Sequence, residues 1–211
     1  AATDTYRPAA HPKDGYEERR LKAVLLRILI ELNTPEVHGL AEDHFRRAWH
    51  VSDRMSALVA INLSEHPLRA AIMERAYHMW KGHLSAYAGY LGVVGATPHE
   101  DVFDRLALEE HRPTFRLQHP THSRALFGSM AGNNKMLWTD RGIEWMTATV
   151  IRLALINENT ANHLVAAFQQ VHKLADDLRP KVLRALRAMK DGIDADKSPS
   201  IAGRIRSYLR T

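Results

Sequence analysis

Apolar residues recur at intervals of three and four along almost the whole chain, and no segment alternates apolar and polar positions over a strand's length. The pattern predicts an all-α protein. Its first segment, residues 16–33, places Leu21, Val24, Leu25, Ile28 and Leu32 on one stripe behind the charged lead-in Glu17, Glu18, Arg19 and Arg20. Thr34-Pro35 then restarts the chain. A threonine hydroxyl accepts from an orphan amide at a helix start, and a proline at the first helical position forfeits no hydrogen bond.

The same punctuation returns further on. Ser52 is the expected cap of a segment with Met55, Leu58, Val59 and Leu63 inward. Ser64 is the expected cap of the next, with Leu68, Ala71, Ile72, Ala76 and Met79 inward and Gly82 as its stop. In Thr97-Pro98-His99-Glu100 the glutamate stands three residues past the threonine, the spacing of a capping box, so another helix is expected from there. Later segments are predicted at 121–131, 142–157, 160–177, 180–192 and 200–210, the last behind Ser198-Pro199.

Roughly nine or ten short helices with connections of a few residues make stacked helical hairpins. No signature residue recurs at the roughly 33- to 47-residue offsets of regular helical repeats. The expected fold is therefore an irregular α-α superhelix, HEAT/armadillo-like, whose concave surface is open to a partner. Residues 1–14 are expected to be a flexible leader and 15–211 a single helical superhelix domain. The opening AATDTYRPAAHPKDG carries no apolar run and no initiating methionine, and reads as the start of an excised piece.

At 211 residues the chain is long enough to bury most of the surface its unfolded form exposes. It has no cysteine, which removes disulfides and thiolate metal sites and leaves the compartment open, with the cytoplasm as the default. No stretch approaches the roughly 18 apolar residues of a membrane helix, so no membrane partner is expected. The formal charge of +5 comes from 29 basic and 24 acidic residues that are interleaved, a weak argument for a polyanion partner.

Arg179, Lys181, Arg184, Arg187 and Lys190, followed by Arg204, Arg206 and Arg210, form the strongest basic signal. Leu183, Leu186 and Met189 supply an opposing inward stripe, so this reads as the solvated face of a terminal helix. Asp176, Asp177, Asp191, Asp194 and Asp196 dilute its field. A nucleic-acid partner is accordingly not expected. Tyr77 and Trp80 share an apolar stripe and are expected in the core rather than as stacking platforms for single strands. His119 and His122 are three apart, but Pro120 lies between them and no third ligand is evident, so no metal site is expected.

From Arg112 the chain runs RPTFRLQHPTHSRALFGSMAGNN. Phe115, Pro120, Arg124, Ala125, Leu126, Gly128, Ala131 and Asn134 match, in order and spacing, the helical C-terminal domain of bacterial-type aminopeptidase N, a zinc metallopeptidase family that this segment resembles. A second block follows: Asp140-Arg141-Gly142, then an amphipathic stretch, then Asn157, Ala161, His163 and Leu164. The resemblance covers about residues 101–189, and more faintly Asp53-Arg54 and Tyr77-x-x-Trp80. His119, Thr121, His122, Glu158 and His163 depart from the family's residues; His163 stands in place of an arginine.

The resemblance implies a parent enzyme that releases amino-terminal residues from peptides, with zinc held by an H-E-x-x-H helix and a distant glutamate in a preceding domain. None of that motif is here: His99-Glu100 continues into Asp101, Val102 and Phe103. By this mechanism the chain itself carries no catalytic residue and no zinc. It would enclose the substrate chamber, gate peptide entry and pack on the catalytic domain of the same polypeptide, with Arg124, Asn134 and His163 as chamber-lining residues and a peptide as the substrate. The alternative is a free-standing helical-repeat scaffold that binds a peptide or protein.

Overall fold

In the computed structural model, which describes residues 15–210, every regular element is helical and no strand occurs among the described residues. The first helices in chain order are α1 (Tyr16–Leu29), α2 (Pro35–Arg47), α3 (Val51–Leu63), α4 (Arg69–Trp80) and α5 (Leu84–Val94). They are followed by α6 (Val102–Glu110), α7 (Pro120–Ala131), α8 (Asp140–Ala154), α9 (Glu158–Val165), α10 (Arg179–Gly192) and α11 (Pro199–Arg210). Single 3₁₀ turns occupy Ile30–Leu32, Ala166–Phe168 and Val171–Lys173. Packing divides the chain into two compact units, the first ending at Val93 and the second beginning at Val94. The expected leader over 1–14 lies outside the described residues.

In the first unit α3 is central and packs against α1, α2 and α4. Its sequence explains this: Ala57, Leu58, Ala60 and Ile61 are all buried, and with two alanines among them neighbouring helices can approach on two sides. The Thr34-Pro35 restart is realised, with the Thr34 hydroxyl accepting from the Val37 amide at 3.4 Å and Pro35 in the first turn. Just before it, Asn33 turns the chain in the left-handed conformation, φ 47°. Its side-chain oxygen accepts from the Glu65 amide at 2.9 Å, fastening this turn to the α3–α4 connection.

Several local expectations are corrected. In α1 the stripe expected inward faces out, with Leu21 60%, Val24 50%, Ile28 64% and Leu32 62% exposed. The buried face is Leu26, Leu29 and Ile30. The segment is apolar on two sides, and periodicity alone cannot choose between two apolar stripes. Ser52 lies inside α3, which starts at Val51 after an N-cap at His50 without a side-chain bond. Ser64 ends α3 rather than starting α4: its hydroxyl donates to the Ile61 carbonyl and accepts from the His66 amide. Leu68 and Ala71, expected inward, are exposed.

The capping box at Thr97 and Glu100 does not form, because Thr97 is fully buried and α6 begins only at Val102. The segment 160–177 is not one helix but α9 followed by two 3₁₀ turns. Val165, Phe168 and Val171 are all fully buried, and their spacing of three is the 3₁₀ period rather than the α period. The helix α5 was not foreseen. Its sequence LSAYAGYLGVV carries two glycines that lower helix propensity, and burial of Tyr87, Tyr90, Leu91 and Val94 overrides that cost.

In the second unit α8 packs against α9 and α10, while α9 also contacts α7 and α11, and α10 contacts α11. The buried face of α8 is Ile143, Met146, Val150 and Leu153, at the helical spacing the sequence predicted. Tyr77 and Trp80 are buried, as their stripe implied. On α10 the buried side is Val182, Ala185, Leu186 and Met189, with Arg184, Arg187 and Lys190 exposed.

Candidate functional site

Residues 115–119 form a loop held at both ends before the chain enters α7. Phe115 is buried against Phe127 and His122, with ring centroids 6.0 Å apart in each case. The His122 ring accepts the Arg116 amide through Nδ1 at 3.2 Å, and the Ser123 hydroxyl donates to the Leu117 carbonyl. These bonds satisfy backbone groups that a loop would otherwise leave to water. Pro120 then occupies the first turn of α7, which places Arg124 one turn further on and exposed.

The second matched block is equally legible in the structure. The Thr139 hydroxyl caps α8 by accepting from the Gly142 amide at 3.0 Å. Gly142 is required there, because a Cβ would collide with the carbonyl oxygens of Met136 and Leu137. Arg141 pairs with Asp104 at 3.1 Å and lies over the Phe103 ring, 4.4 Å from its centroid. Asn157 caps α9 by accepting from the Thr160 amide, Ala161 and Leu164 form the buried face, and His163 is left outward.

Because α9 packs on both α7 and α11, two arginines and a histidine meet at one cavity. The cavity is about 420 Å³ and is lined by Pro120, Arg124, Asn159, Asn162, His163 and Arg204, together with Thr160. The His163 ring lies against Gly128, at ordinary contact distance, 3.8 Å, from where a Cβ would stand. Partial burial, then Arg124 and then Arg204, push the His163 imidazole below its ordinary value. The lining thus gathers basic side chains with no carboxylate among them, and guanidinium groups are suited to pairing with an anion.

Of the three residues singled out in the sequence, Arg124 and His163 are brought together here. Asn134 is exposed in the turn after α7 and is not among the residues lining this cavity. Its neighbour Asn133 is buried and does structural work: its amide donates to the Gly95 and Thr97 carbonyls at 3.0 and 2.7 Å, and its oxygen accepts from the Met136 amide. Arg204 was not foreseen as part of a site. Its only sequence signal is a basic residue on the outer face of the last helix.

His119 and His122 do stack, with centroids 4.4 Å apart. Burial, then His119 and then Arg116, hold the His122 imidazole below its ordinary value, and Nδ1 is already engaged by the Arg116 amide. Among the described residues no group of three or more His, Asp or Glu is placed to hold a metal ion. No helix among them is long and apolar enough to cross a membrane.

Comparison with known proteins adds to this geometry. A family described as a domain of unknown function, DUF3458_C, ARM repeats, matches residues 1–198. The crystal structure of Legionella pneumophila aminopeptidase A in complex with aspartic acid is similar over 90% of this chain, with a TM-score of 0.79 at 19% identity. The match spans 23% of that longer chain.

Proposed function

The chain belongs to the DUF3458_C family of ARM-repeat domains, the C-terminal helical domain of aminopeptidase N-like proteins, and from that premise we propose that it encloses the substrate chamber of a zinc-dependent aminopeptidase and gates the entry of peptides. The parent would release amino-terminal residues from peptides, and the zinc it needs would be held by a catalytic domain elsewhere in the same polypeptide. The chain's own part is to pack on that domain and to limit access.

The observation that carries this reading is the outer face of α1. Four apolar side chains at helical spacing, each at least half exposed, form a stripe built to be covered. The similar aminopeptidase is about four times longer than the region matched, which supports a covering element in the same polypeptide. The arginine-lined cavity of the second unit supports a role facing peptide rather than solvent, since an unmodified linear peptide carries a carboxylate at one end.

The test is a length profile. In the longer protein this reading requires, aminoacyl reporter substrates and short peptides should be cleaved, with turnover falling sharply as peptides lengthen and folded proteins left intact. Equal rates for short peptides and for long unfolded chains would remove enclosure and gating. The 211-residue chain alone, given zinc, should release nothing from reporter substrates.

A further inference from the structure

Three helices that are far apart in sequence each contribute one basic side chain to the cavity: Arg124 from α7, His163 from α9 and Arg204 from α11. No ion pair joins Arg124, His163 or Arg204 to any carboxylate among the described residues, whereas Arg141 of the same unit pairs with Asp104, Arg152 with Glu110, and Arg179 with Asp176. The charged groups facing the His163 ring are Arg124 and Arg204. Asn162 ties α9 to the start of α11 through the Ser200 hydroxyl at 3.0 Å, which fixes the distance between two walls of the cavity. Pro120 supplies an apolar rim beside the charges.

We propose that this cavity binds the terminal carboxylate of a peptide through Arg124 and Arg204, and that His163 joins them as a third donor when protonated, so that binding tightens as pH falls. The choice of a peptide rests on the proposed function above; the oxyanion chemistry rests on the cavity alone. A guanidinium offers a planar fork that matches a carboxylate, and two from different helices can clamp it. Partial burial, then Arg124 and then Arg204, disfavour a third positive charge and lower the His163 imidazole from its ordinary value. An arriving carboxylate reverses that balance and draws a proton onto the ring. The peptide carboxylate itself stays ionised throughout the range between pH 5.5 and 8.

The experiment measures anisotropy of short peptides labelled at the amino end, with a free or an amidated carboxyl end, titrated with the 211-residue chain at pH 5.5 and pH 8. The free-acid peptide should bind about tenfold more tightly at pH 5.5 than at pH 8, the worth of one charge-assisted hydrogen bond, and amidation should weaken it by at least about tenfold. Arg124→Ala and Arg204→Ala should each weaken the free-acid peptide about fivefold to tenfold and leave the amidated one unchanged. His163→Arg should bind tightly at both pH values. These side chains lie at the surface of the helices, and circular dichroism checks that each variant is folded.

Equal binding of the amidated peptide overturns the proposal, as does a pH dependence that survives in His163→Arg. Displacement by inorganic phosphate with no advantage of the peptide over acetate overturns the peptide assignment. The chamber reading fails separately: carboxylate binding retained in this chain, with no length profile in the longer protein, upholds this site and removes gating.

Discussion

Helices α1 and α8 are nearly the same length and similarly rich in apolar residues, yet they are used differently. In α8 Ile143, Met146, Val150 and Leu153 go to one buried face, and the large apolar residues off it, Trp145 and Ile151, are half-buried rather than exposed. In α1 the apolar residues divide between two faces: Leu26 and Leu29, with Ile30 just beyond, meet the core, and Leu21, Val24 and Ile28, with Leu32 following, meet water. A single apolar face describes an element that is complete in its own unit. A second one describes an element with more to cover, and this difference separates what the chain does for its own stability from what it does for the proposed assembly.

The histidines divide in a parallel way. In the first unit His44 is fully buried on α2, and His38 and His66 are buried with ring centroids 5.0 Å apart. Burial also pushes the His66 imidazole down, with His38 adding to it. In the second unit His163 opens onto the cationic cavity. Protonation therefore acts on stability wherever the imidazole is buried, His122 of the second unit included, and at His163 it would act on the proposed binding.

The largest effects should come from the buried faces. Leu26→Ala and Leu153→Ala should each destabilise by about 2 to 5 kcal/mol in denaturant unfolding, because each deletes a fully enclosed side chain and leaves a cavity. A cost below about 1 kcal/mol for Leu26→Ala would mean that the assignment of the two α1 faces is reversed.

Next comes pH. Burial, and then Lys22, lower the His44 imidazole to about 4 from an ordinary 6.5. The unfolded chain takes up this proton near pH 6.5 while the folded chain refuses it until about pH 4. Stability is therefore unaffected above that window and falls as pH drops through it, by about 3 kcal/mol at the bottom. Unfolding midpoints at pH 7.5 and pH 4.5 measure this, and His44→Leu should flatten most of the difference.

Removing the cap of α8 is a smaller perturbation. Thr139→Ala leaves the Gly142 amide without its acceptor and should cost about 1 kcal/mol. The smallest effect sharpens the comparison most: Ile28→Ala, on the outer face of α1, should change the stability of the 211-residue chain by less than about 0.5 kcal/mol. A core-sized cost there would show that the exposed stripe is not spare surface.

How far the sequence speaks depends on whether a signal is local. The starts of α2, α7 and α10 are legible because proline sits in the first turn of each, and proline is tolerated there and almost nowhere else in a helix. A serine or threonine is an ambiguous capping signal because its hydroxyl can also bond backbone groups outside a cap, as Ser64 does in closing α3. The α5 helix is masked by Gly89 and Gly92, whose cost is offset only by tertiary burial. For the site, Arg124 and His163 were reachable through the resemblance of their motifs. Arg204 was not, since the meeting of residues on α7, α9 and α11 is set by packing and leaves no spacing to read.

The central claim is that α1 carries a face meant to be covered by another part of a longer polypeptide. The chain has no cysteine, so a single Ile28→Cys can be followed by maleimide labelling, with Lys190→Cys as a solvent-facing reference. Both positions should label rapidly in the 211-residue chain, and in the longer protein position 28 alone should be strongly protected. Equally rapid labelling of position 28 in both proteins would contradict it.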